Sequence, residues 1–141
     1  MAEKSNEIVA MVIEGVIVTI DAMGCQRDIA QKIVDKKGDY VLALKGNQGS
    51  LRDAVALLVA EQTAKQFSDS EISSAETIDG DHGRIETRTT TVIHNVEWLR
   101  ERHNWPGLNG VVIVESVREA DGKIERETRF SITSLTLLHV D

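Results

Sequence analysis

The sequence predicts an α/β fold in which a short parallel βαβ unit is followed by a mostly antiparallel β region. Two apolar, strand-like runs flank a helix-like segment in the first half, and β-branched runs separated by turn residues fill the second half. The chain has 141 residues, of which 41% are hydrophobic and 28% charged. Those values fit one folded core and exclude disordered, collagenous and coiled-coil classes.

The βαβ unit is predicted from the pattern of the first 65 residues. Residues 15–20 form a nearly continuous β-branched run, which is typical of a strand covered on both faces. Residues 26–37 have apolar positions at helical spacing, an aspartate in the first turn and lysines in the last. Residues 40–44 form a second apolar strand, and a capping box at Ser50 predicts another helix. Short connections predict that the two strands are parallel.

An acidic segment separates the two halves. Residues 61–81 contain six carboxylates and one lysine, so they carry most of the net charge of −7. The segment has many Ser and Thr residues and few large apolar ones, which predicts a solvated loop, least ordered over residues 66–80. This distribution neither supports nor excludes binding to DNA.

The second half is predicted to be β-rich. Residues 85–93 alternate loosely, residues 111–117 are β-branched, and residues 120–123 form a hairpin turn into a strand over 124–133. Residues 96–100 are interpreted as a helical turn between strands. These elements predict an antiparallel β region.

We predict two parts packed as one domain, residues 1–65 and residues 66–141. No apolar run approaches the ~20 residues that a membrane span needs, and no signal peptide opens the chain. We therefore expect a cytoplasmic protein with neither a membrane nor a small-molecule substrate as partner. The single cysteine, Cys25, excludes an internal disulfide and a cysteine zinc cluster.

Polar residues follow both strands of the βαβ unit. Asp21 comes directly after the first strand, where ligand sites of α/β sheets lie and where a carboxylate suits Mg²⁺. The alternative is that Asp21 caps the turn into the helix. Lys45 and Asn47 follow the second strand and could contact a phosphate, although the neighbouring Gly46 and Gly49 are equally consistent with an ordinary turn.

A row of charged residues is predicted on the first strand of the β region. After His82, the side chains of Arg84, Glu86 and Arg88 share one strand face by period two. The row is either an internally paired, solvated stripe or a stripe that follows DNA phosphates.

The other histidines and the tryptophans are assigned structural positions. His94, His103 and His139 have no neighbours at metal-ligand spacing and are interpreted as surface or loop residues. Trp98 and Trp105 flank arginines, as in some nucleic-acid readers, but are interpreted as core anchors of the β region.

Three segments together resemble the H-repeat-associated, ISAs-type DDE transposases of bacterial insertion sequences. They are residues 18–27 (VTIDAMGCQR), 38–48 (GDYVLALKGNQ) and 82–88 (HGRIETR), and residues 4–8 (KSNEI) match a further segment. The resemblance implies an RNase H-like core whose three carboxylates bind two ions, Mg²⁺ or Mn²⁺, for phosphoryl transfer on DNA. The residues expected to contact DNA are Lys45, Asn47, His82, Arg84 and Arg88.

Within this resemblance, Asp21 matches the second carboxylate of the triad and is the expected catalytic and metal-binding residue. The first aspartate and the final glutamate have no match, and about one helix is missing near residues 9–14. Residues 1–65 then correspond to a partial RNase H-like core and residues 66–135 to the β insertion. We expect a transposase fragment that is inactive alone, without a tightly bound metal and with weakened or lost DNA binding.

Two other functions remain open. The chain could be a small DNA-binding or regulatory module that uses arginines of the β region, namely Arg84, Arg88, Arg126 and Arg129, or a folded remnant without activity. Loss of the strands that precede the first one here would leave an unpaired strand edge, which predicts a homodimer built around Ile8 to Ile20.

Overall fold

The computed structural model describes residues 15–20, 27–44, 49–68, 71–94 and 96–136. The helices and strands of these residues follow one another along the chain as β1 (Ile17–Ile20), α1 (Arg27–Asp35), β2 (Asp39–Ala43), α2 (Gly49–Ala64), β3 (Ile72–Asp81), β4 (Arg84–His94), α3 (Glu97–His103), β5 (Gly110–Ala120) and β6 (Lys123–Thr133).

All six strands belong to one mixed sheet, in the order β1-β2-β6-β5-β4-β3. β1 and β2 are parallel, with Val18 opposite Tyr40, and α1 connects them, so the predicted βαβ unit is confirmed. Every other neighbouring pair is antiparallel, as expected for the second half. The α/β class is therefore confirmed, while the RNase H-like assignment and the division after residue 65 stay predictions.

The predicted acidic loop is wrong over residues 61–64 and 72–81. Residues 61–64 complete α2, and the acidic stretch from Ile72 to Asp81 is a strand that pairs with β4 along its whole length. β3 lies at the edge of the sheet and most of its side chains are exposed, so the burial that would give it an apolar pattern is absent. Backbone hydrogen bonds to β4 hold β3 in place. Such bonds do not require a particular pattern of side chains, so the sequence does not reveal this strand.

The three helices pack against one face of the sheet. Sheet residues that point to this face include Leu42, Val111 and Ile132, and all three are fully buried. α1 contributes Ile29 and Ile33, and α2 and α3 add the residues Leu51, Val55, Leu58 and Leu99. Each fully buried side chain of this size stabilises the fold by about 1.5–3 kcal/mol.

Tyr40 joins the sheet to the loop after α3. Its ring is fully buried, and its hydroxyl donates a 2.7 Å hydrogen bond to the Pro106 carbonyl. Its backbone N–H donates to Ser134 Oγ, and its carbonyl accepts from Thr133 Oγ1, both at 2.8 Å. Gly107 lies beside the ring with a φ of 70°.

Two tight turns close the long hairpins. The turn between β5 and β6 has positive φ at both central residues, Asp121 and Gly122, which is the geometry of a type I′ turn and confirms the predicted hairpin. His82 and Gly83 adopt the same conformation between β3 and β4.

Among the helices of the described ranges, none combines the length and the apolar character needed to cross a membrane.

Candidate functional site

The carboxyl ends of β1 and β2 lie at the same edge of the sheet because the two strands are parallel neighbours. This is the edge where α/β sheets bind ligands. The residues predicted to act there, Asp21, Lys45 and Asn47, lie outside the described residues. What the structure describes at this edge is the start of each following helix, at Arg27 and Gly49.

Arg27, the first residue of α1, is held by two contacts. Its guanidinium lies 5.5 Å from the centre of the Trp105 ring, and one of its N–H groups donates a 2.9 Å hydrogen bond to the His103 carbonyl. The arginine is exposed, whereas Trp105 is 2% exposed. A guanidinium over an indole face is an attractive cation–π arrangement. Together the two contacts restrict the position of the Arg27 side chain.

The same cluster contains buried polar atoms without a partner. The indole Nε1 of Trp105 and the Nε2 of His103 are buried and make no hydrogen bond within the described part of the chain. Burial, and then the charges of Arg102 and Arg27, hold the pKa of His103 below its usual value. This shift of the pKa favours the neutral form of the His103 imidazole.

The core-anchor interpretation is correct for Trp105 and wrong for Trp98, which is 46% exposed. The exposure of Trp98 follows from its place in the short helix α3. In that helix Leu99 is the residue that faces the core, and it is fully buried. The neighbouring Trp98 consequently faces away from the core.

The surface-or-loop interpretation is wrong for His94. Its side chain is 4% exposed at the end of β4, and its Nε2 lies 2.9 Å from the Ser73 hydroxyl on β3. His94 is thus part of the β3–β4 pairing. His82 is exposed in its turn beside Asp81, at 3.2 Å, and His139 lies outside the described residues.

The arginine row on β4 has the predicted geometry. Arg84, Glu86 and Arg88 alternate along β4 and share one face. Glu86 accepts from Arg88 at 3.0 Å and from Arg118 of β5 at 3.2 Å, so two guanidiniums share one carboxylate. This is the arrangement of an internally paired stripe. Among the described residues Arg84 makes no ion pair, and the assignment of the row to DNA contact stays a prediction.

The whole helix-free face of the hairpin strands is electrically balanced. The strand registers place five cations and five carboxylates on it, namely Arg84, Arg88, Arg118, Lys123 and Arg129 with Asp79, Asp81, Glu86, Glu125 and Glu127. A surface that follows DNA phosphates needs an excess of positive charge. The balance gives this face no such excess.

The part of the chain that the structure describes contains no cluster of three or more His, Cys, Asp or Glu residues placed to hold a metal ion. The residue predicted to bind Mg²⁺ or Mn²⁺, Asp21, is outside that part.

Comparison with known proteins gives clear relatives. The chain is 44% identical over 140 residues to an uncharacterized protein in the dhlA 3′ region of Xanthobacter autotrophicus, covering 94% of this chain and 46% of that protein. It is 41% identical to the putative transposase YncI of Escherichia coli O157:H7, covering 82% of this chain and 31% of the relative. The H repeat-associated putative transposase YhhI of Escherichia coli K12 is 35% identical, with 92% and 36% covered.

These relatives place the chain among transposase-related proteins. The family to which it is related is that of the H repeat-associated putative transposases, which confirms the resemblance seen in the sequence motifs. The chain spans less than half the length of the curated relatives it matches. No protein-family model and no solved structure matches it.

Proposed function

We propose that the chain corresponds to the middle of an insertion-sequence DDE transposase, in which Asp21 supplies one of the metal-binding carboxylates. The observation that carries the proposal is the parallel β1–α1–β2 unit, since Asp21 follows β1 directly in sequence. A strand-end carboxylate of this kind suits Mg²⁺ or Mn²⁺. Two of the relatives are named putative transposases, which supports a role in transposition.

We expect the isolated chain to be inactive in DNA cleavage. Two-metal catalysis needs several carboxylates that converge on ions about 3.5–4 Å apart, and one aspartate cannot hold both ions. Purified protein incubated with supercoiled plasmid and Mg²⁺ or Mn²⁺ should leave the plasmid uncut. Cleavage that is lost in Asp21→Asn would contradict this expectation, because it would show a complete metal site in this chain.

The DNA-binding function is tested through the arginine row. Arg84 is unpaired among the described residues, while Arg88 shares Glu86 with Arg118. If the row follows phosphates, Arg84→Ala should lower the salt slope of DNA binding by about one, as expected for one lost phosphate contact, and Arg88→Ala by less. Fluorescence anisotropy with a labelled duplex, repeated over a range of salt, measures both. An unchanged salt slope in both variants would show that the row is a solvated, internally paired stripe and not a DNA contact.

A homodimer is proposed around residues 8–20. β1 is an edge strand of the sheet, and among the described strands it pairs with β2 alone, while its Ile17 is 53% exposed. An open edge with apolar side chains favours pairing with another chain. Light scattering coupled to size exclusion should give twice the 15.6 kDa of one chain.

A charged residue placed on β1 distinguishes a dimer formed through this strand from non-specific association. Ile17→Lys should shift the mass toward the monomer, whereas Ile124→Lys, at an equally exposed position on β6, should leave it unchanged. A wild-type mass of 15.6 kDa at all concentrations would rule out the dimer.

A further inference from the structure

Two arginines near the starts of α1 and α2 each lie over an aromatic ring. Arg27 lies 5.5 Å from the Trp105 ring centre, and Arg52 lies 5.8 Å from the ring centre of Phe130 on β6. Both distances are within the range of an attractive cation–π contact. Each guanidinium is thus positioned by an aromatic ring that belongs to a distant part of the chain.

An aromatic ring positions a guanidinium without cancelling its charge. Arg88, Arg118 and Arg129 each lie within 3.2 Å of a glutamate oxygen. Within the described ranges, by contrast, no carboxylate oxygen comes within 4 Å of the guanidinium of Arg27 or Arg52. Arg27 and Arg52 are therefore guanidiniums that an aromatic ring positions and that no carboxylate of the described residues neutralises.

Their location does not serve helix stability. A positive side chain in the first turn opposes the helix dipole, which favours anions there, so neither arginine gains from that position. The ring contacts restrict the guanidiniums before any ligand arrives, which lowers the entropy lost on binding. The buried indole N–H of Trp105, without a partner among the described residues, lies beneath Arg27 as a further unused donor.

The topology brings the two first turns to one edge. α1 follows β1 and α2 follows β2, the two strands are parallel neighbours, and both helices pack on the same face. The first turns of both helices therefore lie at the carboxyl edge of this strand pair. We propose that Arg27 and Arg52 together bind phosphodiester groups of a DNA backbone that crosses this edge. The inference rests on the proposed function and identifies its phosphate contacts.

The test compares two double variants that remove the same charge. Arg27→Ala with Arg52→Ala removes the ring-held pair, and Arg118→Ala with Arg129→Ala removes two ion-paired arginines. Duplex DNA binding by the full chain is measured by anisotropy between 50 and 300 mM KCl, a range of about sixfold in salt. The first variant should lose about two units of salt slope and roughly ten- to a hundredfold in affinity, and the second well under one unit.

Several outcomes overturn the inference. Equal losses in the two double variants would indicate a general charge effect, and no loss in the first would mean that the ring-held arginines do not contact DNA. In both cases the proposed function stands, because the parent chain still binds. Absence of DNA binding by the parent chain overturns the inference together with DNA binding as a function. Arg27→Gln with Arg52→Gln, checked by circular dichroism, repeats the comparison with most of each side chain retained.

Discussion

Tyr40→Ala should destabilise the chain by about 3–5 kcal/mol, the usual cost of removing a large buried aromatic side chain. The ring is fully buried in the centre of the core, and its hydroxyl satisfies the carbonyl of Pro106. Removing it leaves a cavity between β2 and the loop after α3, and this loop also contains Trp105. Urea unfolding followed by circular dichroism measures the loss, which is a large fraction of the 5–15 kcal/mol that stabilises most domains.

Tyr40→Phe separates the hydrogen bond from the packing. The phenylalanine keeps the ring and removes only the 2.7 Å bond to Pro106, so the expected loss is about 1 kcal/mol. Similar losses for the alanine and phenylalanine variants would show that the ring is not packed as described.

Gly107→Ala should cost about 2–4 kcal/mol, from two independent sources. A Cβ at this position would lie 2.8 Å from Val34 Cγ2, so α1 or the loop would have to move, which costs about 1–3 kcal/mol. The φ of 70° adds about 1 kcal/mol for a residue other than glycine. Thermal and urea unfolding of the variant measure the sum.

Gly122→Ala is the matched control for this substitution. Its φ is 75°, but a Cβ there meets nothing within 4 Å, so only the backbone cost of about 1 kcal/mol is expected. Equal destabilisation by the two substitutions would show that the contact between Gly107 and Val34 is not tight.

The sequence predicts those parts of the fold in which burial determines the spacing of the apolar residues. Ile29 and Ile33 point to the core at helical spacing, so α1 is predictable within two residues at each end. β3 is exposed along its length, and its position depends on backbone pairing with β4, which the side chains do not reveal. Trp98 and Trp105 are indistinguishable in sequence because both are tryptophans beside arginines.

The ring-held arginines are missed by sequence reasoning for a related reason. Arg27 and Trp105 are far apart in the chain, as are Arg52 and Phe130, so no local spacing connects them. One feature of the sequence does indicate them. An arginine in the first turn of a helix is unfavourable with respect to the helix dipole, so its presence there suggests a role other than helix stability. The charged row on β4 was easier to see because its members are two residues apart.

The order of the strands in the sheet also determines when the chain can finish folding. β2 has β6 as its second neighbour, and the Tyr40 N–H reaches Ser134 across 94 positions. During synthesis the βαβ unit leaves the ribosome long before β6 has been made. One edge of β2 therefore stays unpaired until β6 is available. Contacts of such sequence separation slow folding and leave apolar strand edges open to aggregation in the meantime. We therefore expect the complete sheet to form late and in one step, when β6 pairs with β2 on one side and with β5 on the other.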